Sequence, residues 1–242
     1  MRKIKLSGIV ASSVMALSIF STAASADALG FFVGGGVWDY DPSGTFGTTG
    51  DDVIDVKSDL GFSSQQDAYV WAAFEHFVPI IPNIRVEAAS MGSDGAADGL
   101  DFGGGINVTG PASISLDTTD AILYYRLLDN WVNLDLGLNI RNLKGDFIVV
   151  DEKISISETI PMLYASAQFD MPLTGLSLGG DINIINYDGN DYRDIRLRAL
   201  YEMGIIGFEA GYKTSTLVLD NVSGVTADLE FSGLMLGAYL HF

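Results

Sequence analysis

The stretch NWVNLDLGLNIR, residues 130–141, leaves very few folds open. Val132, Leu134, Leu136, Leu138 and Ile140 alternate with Asn133, Asp135, Gly137, Asn139 and Arg141. Successive side chains of a strand point to opposite faces, so a period of two predicts a strand with one apolar and one polar face. A soluble sandwich turns the apolar face inward. A barrel in lipid turns it outward and gives the polar face to the lumen.

The same period recurs in ten segments: 28–40, 67–77, 83–91, 113–127, 131–142, 158–170, 175–187, 191–203, 205–217 and 227–242. The connectors after the second, fourth, sixth and eighth segments are short (VPIIP, LDN, MPLT and GI). Those after the first, third and fifth are long and rich in Gly, Asp, Ser and Thr. Short turns on one side and longer loops on the other are the rhythm of an outer-membrane barrel. The expected fold is all-β, a transmembrane antiparallel up-and-down β-barrel of about ten strands; eight remain possible if two segments are loop hairpins.

Composition agrees with this separation of oil and charge. The chain is 48% hydrophobic yet carries a formal net charge of −18, with 28 glycines and 13 phenylalanines. Arg2, Lys3 and Lys5, an apolar run to Phe20, and Ala24-Ser25-Ala26 read as a secretory signal over residues 1–26, leaving one barrel domain over 27–242. Three bases and no acid leave with that leader, so −18 becomes −21. A surface this acidic excludes nucleic acid as a partner, because phosphate binding needs a basic face. With no cysteine there is no disulfide frame and no thiolate metal site.

The polar faces supply the candidate site. Glu75, Glu87, Asp120, Asp135, Asp181, Glu202 and Glu209 fall in mid-strand, as do Arg85, Arg126, Arg141, Arg196, Arg198 and Lys213. Seven acids against six bases make a near-neutral set, which is what a closed interior requires, since each buried charge needs a partner. These residues are expected to line a narrow lumen; barrels of about eight strands are filled by side chains.

GLMLGAYLHF ends the chain on Phe242, with Leu234, Leu236, Ala238 and Leu240 at steps of two. It resembles the terminal strand that the outer-membrane assembly machinery recognises, with Phe242 as the assembly signal. DALGFFVGGGVWDYDPSG and DAYVWAAFEHFVPIIPNIRVEAA resemble a family of small Gram-negative outer-membrane β-barrel proteins with a glycine-rich first strand. The resemblance covers the whole chain after the leader. It implies fold and an outer-membrane location reached through the periplasm, and it brings no activity and no catalytic residues.

Little else points to chemistry. The two histidines, His76 and His241, fall at strand ends on the periplasmic side, so a histidine-dependent lipid-modifying enzyme or protease of the external rim is not expected. No cofactor is expected. Asp188, Asn190, Asp191 and Asp194 in YDGNDYRD are a possible divalent-cation site of hard oxygen ligands, and the same Asp-Gly also predicts a tight turn. Asp51, Asp52, Asp55 and Asp59 read as a solvated acidic surface in the first loop. Glycines 34–36 in a strand predict close backbone approach rather than a phosphate loop.

Three readings of function follow: a non-enzymatic structural or surface-interaction barrel with acidic loops, a narrow pore or pocket for a small solute, and, least favoured, an enzyme. The expected surroundings are outer-membrane lipid and lipopolysaccharide, with divalent cations bridging loop carboxylates to lipid phosphates. Chelation is then expected to lower the melting temperature; an unchanged value would remove the bridging idea.

Overall fold

The computed structural model describes residues 29–48, 53–101, 107–150, 152–222 and 224–242. The expected leader, Asp51, Asp52 and glycines 103–105 lie outside them. Ten long strands form one antiparallel sheet in chain order: β1 (Leu29–Thr48), β3 (Gln65–His76), β4 (Asn83–Asp101), β5 (Asn107–Asp129), β6 (Val132–Val149), β7 (Glu152–Met171), β8 (Leu176–Tyr187), β9 (Asn190–Met203), β10 (Ile206–Val222) and β11 (Val225–His241). A two-residue strand, β2 (Ile54–Asp55), lies against β1 at its outer end. The sheet closes by pairing of β11 with β1 from Phe32↔His241 to Thr48↔Val225. Closure leaves no open edge in the hydrocarbon, the condition for a β-structure to cross it.

Strand β6 answers the question its sequence poses. Leu136, Leu138 and Ile140 are exposed on the outer surface (Leu138 at 57%), while Asp135, Asn139 and Arg141 are buried within. The other strands agree, with Val70 and Phe74, Ile84 and Val86, Leu123 and Tyr125, Ile195 and Leu197, and Leu234 and Leu236 all exposed around the circumference. An exposed apolar girdle on a closed sheet is explained by lipid. At the periplasmic rim Trp131 packs edge-on against Phe169, with ring centroids 5.5 Å apart, as an interfacial anchor. Trp38 and Trp71 are buried in the lumen instead.

Above the girdle the pattern inverts. On β6 the apolar residues shift from even to odd positions: Leu143, Phe147 and Val149 point inward and are buried, and Asn142, Lys144 and Asp146 point outward. Ile114 and Leu116 on β5, Leu217 on β10, and Leu229 and Phe231 on β11 join the same interior cluster. The barrel is thus lipid-phased at its base and water-phased at its top. This corrects the long external loops expected after the third and fifth segments. Residues 92–101, 107–112, 143–149 and 152–157 continue the β4–β5 and β6–β7 ladders. Their Gly, Ser, Thr and Asp content marks a solvated outer face, and the backbone still pairs. Asp94, Asp117, Glu152, Asp228 and Glu230 all lie exposed on this collar.

The first connection closes the top. Ile54, Val56, Leu60 and Phe62 are buried in the outer core. The segment is tied down by Val56 N–H donating to the Gly44 carbonyl (3.0 Å), Ala96 N–H to Leu60 (2.8 Å), and Ser93 Oγ to Ser63 (3.1 Å). Gly95 makes this docking possible: a Cβ there would lie 2.0 Å from the Leu60 carbonyl oxygen. The turn itself is built by Asp55, whose carboxylate accepts from the N–H groups of Ser58 (2.8 Å) and Lys57 (2.9 Å). The Ser58 N–H chiefly, then that of Lys57, holds its carboxyl below the usual carboxylate range. A lowered carboxyl favours the folded turn at neutral pH, and that support fades as pH falls through the lowered value. So Asp55 and Asp59 belong to a plug with an apolar underside, not merely to a solvated loop.

β3, β8 and β9 stop near the girdle, and of these β8 and β9 are joined directly by a hairpin. Their turn, Asp188-Gly189, takes positive φ at both residues (51° and 81°), the geometry of a two-residue hairpin turn. The β7–β8 ladder therefore begins only at Leu163↔Ile184, and β7 above it pairs with β6 alone. The resulting notch in the collar holds a cavity of about 260 Å³ lined by Ile160, Ile185, Leu217, Leu219 and Val222.

Candidate functional site

The lumen divides into a middle section packed with charge and a periplasmic vestibule. The glycine-rich first strand explains how large side chains fit in the middle. Tyr69, Gly36, Gly237 and Glu209 are successive partners across β3, β1, β11 and β10. Tyr69 lies flat over the two glycines and its hydroxyl donates to Glu209 Oε1 at 2.7 Å. In a neighbouring row Trp71 and Tyr239 alternate with Gly34 and Gly207, with ring centroids 5.7 Å apart. Trp71 Nε1 also donates to Glu209, at 3.3 Å. The expected close approach at glycines 34–36 is thus an approach of rings to backbone.

Ion pairs fill the rest of the middle. Arg196 on β9 donates to Asp181 on β8 (3.0 Å from Nη2 to Oδ2) and across the lumen to both oxygens of Glu87 on β4 (3.0 and 3.1 Å). Arg85 reaches Glu87 at 3.0 Å and stacks over Trp71, 4.2 Å from the ring centre. Arg198 pairs with Asp181 at 3.0 Å and with Glu209 at 3.5 Å. Arg141, only 2% exposed, donates twice to Asp120 at 2.7 Å and meets Asp194 at 2.5 Å. Lys213 sits 4.6 Å from the centre of the Trp38 ring. Five acids (Glu87, Asp120, Asp181, Asp194, Glu209) therefore face five bases (Arg85, Arg141, Arg196, Arg198, Lys213) among the described residues. In a section with little water, pairing on this scale offsets the desolvation of each charge.

Below lies the vestibule, a cavity of about 370 Å³ whose lining includes Phe32, Gly175 and His241 from the periplasmic strand ends. Arg126 donates to Glu75 (2.6 and 3.0 Å) and to Asp135 (3.0 Å), and the Tyr124 hydroxyl donates to Glu75 at 2.7 Å. Glu202 accepts from the Tyr239 hydroxyl at 3.1 Å and lies 3.0 Å from His241 Nδ1. His241 stacks on Phe32, ring centroids 4.0 Å apart. The His76 ring stays at the rim, accepting from the Val78 N–H at 3.2 Å.

All thirteen sequence-predicted lumen residues face inward: Glu75, Arg126, Asp135 and Glu202 line the vestibule, and Arg85, Glu87, Asp120, Arg141, Asp181, Arg196, Arg198, Glu209 and Lys213 occupy the middle. The possible cation site is not assembled. Asp194 turns into the lumen toward Arg141, Asp191 pairs with Arg193 at 3.0 Å, and Asn190 accepts from the Asp220 N–H at 2.8 Å. Alternation along β9 separates Asp191 from Asn190 and Asp194 by face, so the four oxygens cannot converge. Among the described residues no group of three or more His, Asp or Glu can hold a metal. Sequence reasoning missed Asp170 and Tyr164 in the vestibule and the plug residues Ile54, Val56, Leu60 and Phe62. The apolar spacing of the plug was a usable signal. Phe242 ends the seam, exchanging backbone hydrogen bonds with Phe31 at 2.9 and 3.1 Å.

No family model matches the chain, and no curated protein matches its sequence. Among solved structures, the outer membrane protease OmpT from Escherichia coli is similar with a TM-score of 0.53 and 12% identity, over 92% of this chain and 99% of that one. Ail, the attachment invasion locus protein of Yersinia pestis, aligns at 12% identity and a TM-score of 0.38, over 89% and 99% of the two chains. A major outer membrane protein from Thermus thermophilus aligns at 17% identity and a TM-score of 0.37, over 89% and 100%. At such identity the OmpT likeness is one of fold. With the lipid-facing girdle, that fold makes this an outer-membrane β-barrel protein.

Proposed function

We propose that the protein is a non-enzymatic outer-membrane barrel that does not conduct and that presents a rigid acidic β-collar for interactions at the cell surface. The observation that carries this reading is the plug: Ile54, Val56, Leu60 and Phe62 complete a hydrophobic core across the outer mouth. The Glu87–Arg196 bonds cross the lumen beneath it. Water and ions meet two successive obstructions, one apolar and one cross-braced by ion pairs.

The non-enzymatic part rests on where the titratable groups lie. Both histidines sit at the periplasmic end, bonded to a backbone amide or beside Glu202. OmpT is named a protease, but 12% identity carries its fold and not its chemistry to this chain. The exposed carboxylates of the collar suit divalent cations shared with lipopolysaccharide phosphates, and Phe242 suits recognition by the assembly machinery.

Planar-bilayer recording tests the reading. The purified protein is expected to give no steady channels at neutral pH. Reproducible single-channel steps would overturn it in favour of the narrow solute passage.

A further inference from the structure

We infer that the notch above the β8–β9 hairpin is a docking site for an extended peptide segment, apolar with a basic residue at its centre, which adds as a strand to the edge of β7. The site deepens the surface-interaction reading above, on which it rests. From Glu152 to Met162, β7 pairs with β6 alone. Alternate residues of a strand direct their N–H and C=O groups to opposite neighbours, so about half of these backbone groups face the notch. Among the described residues they have no backbone partner. A long unpaired edge is a template for another strand. This edge stands in water, since the outward side chains of Ser155, Ser157 and Thr159 are exposed.

The barrel itself shows how such a notch is filled. β3 also stops low, and the gap above it between β1 and β4 is occupied by the chain's own residues 53–64. There β2 pairs with Thr45 and Phe46 of β1, the Leu60 carbonyl accepts from the Ala96 N–H of β4, and Ile54, Val56 and Phe62 bury their side chains. The second notch has the same two features, an open edge and an apolar hollow of about 260 Å³. No described strand crosses it. Its far side is partly closed, because Asn190 Oδ1 accepts from the Asp220 N–H of β10 at 2.8 Å. The free edge is therefore that of β7. A lipid acyl chain would fill the hollow and leave that edge unpaired, whereas a peptide strand satisfies both. Alternation sets the sequence required. Ile156, Glu158 and Ile160 share the inward face of β7, and among the described residues Glu158 has no ion pair. An added strand then needs apolar, basic and apolar residues at steps of two.

The test is titration of the detergent-purified full chain with a fluorescent peptide, TVTITKTIT, read by anisotropy and by amide hydrogen exchange. Saturable binding is expected, with slowed exchange of amides within 152–161. The peptide TTVIIKTTT has the same composition without the alternation and is expected to bind about tenfold more weakly or worse, the scale of two or three lost cross-strand pairs. Glu158→Lys is expected to weaken TVTITKTIT about fivefold, as an exposed ion pair becomes a repulsion, and to turn the preference toward TVTITETIT. Glu158 is exposed, and heat-modifiable gel mobility checks that the variant folds. Failure to saturate, equal binding of TTVIIKTTT, unprotected β7 amides, or an unchanged preference in folded Glu158→Lys overturns the site. Such a failure with silent bilayers leaves the closed, surface-interacting barrel standing; channel steps overturn that reading whatever the peptide does.

Discussion

Replacing Arg196 with leucine is expected to destabilise the barrel by about 3–5 kcal/mol, the range for removing one partner from a buried ion pair. Arg196 spans the lumen, with three of its nitrogens shared between Glu87 and Asp181. Leucine cannot replace any of these bonds. Glu87 keeps Arg85, and Asp181 keeps Arg198. The section nonetheless passes from five bases to four against five acids, leaving one carboxylate uncompensated where water is scarce. Arg198→Leu removes less, because Asp181 retains Arg196. The order predicted for the urea midpoint of unfolding is wild type, then Arg198→Leu, then Arg196→Leu. Adding Glu87→Gln to Arg196→Leu removes the excess acid and is expected to restore part of the loss. A single Arg196→Leu variant with the wild-type midpoint and wild-type heat-modifiable mobility would show that lumen pairing does not hold the barrel together.

The residues of this network were readable because alternation, lipid and charge all act on the same strands. Once Leu136, Leu138 and Ile140 must face lipid, Asp135, Asn139 and Arg141 have only the lumen to face. Partners were another matter. Strand order says that Asp181 is a neighbour of Arg196, whereas Glu87 meets Arg196 only because opposite walls approach, a property of barrel width. Asp194 was misassigned for a related reason. Its spacing from Asp188, Asn190 and Asp191 resembles a ligand cluster in one dimension, but alternation along β9 sends Asp191 outward and Asp194 inward. The collar was missed because the polarity rule changes sign at the membrane surface. Leu143, Phe147 and Val149 obey the period of two, shifted by one residue from the leucines before them. A reading that follows one phase sees the shift as the end of a strand.

Gly237→Val is expected to destabilise the protein as severely as Arg196→Leu, although valine suits strands better than glycine in general. A Cβ on Gly237 would lie 2.4 Å from the Tyr69 hydroxyl, 2.8 Å from the Gly35 carbonyl oxygen and 3.0 Å from Glu209 Oε1. Valine adds two further methyl groups. Tyr69 cannot lie across the seam with those atoms in place, and Gly36 directly opposite shows that the ring needs clearance from both strands. Two losses combine: crowding of a close-packed interior, about 1–3 kcal/mol, and the hydrogen bond to the Glu209 carboxylate, about 1.5–3 kcal/mol. The outward neighbours Leu236 and Ala238 are untouched, so the lipid face is unaltered and the defect is confined to the lumen. This separates packing from membrane insertion. Tyr69→Phe in the Gly237→Val background removes the atom nearest the new side chain and is expected to recover part of the packing loss without restoring the hydrogen bond. Its midpoint should therefore fall between Gly237→Val and wild type. If Gly237→Val alone unfolds with the wild-type midpoint, Tyr69 does not cross the seam, and the glycines of β1 and β11 need another explanation.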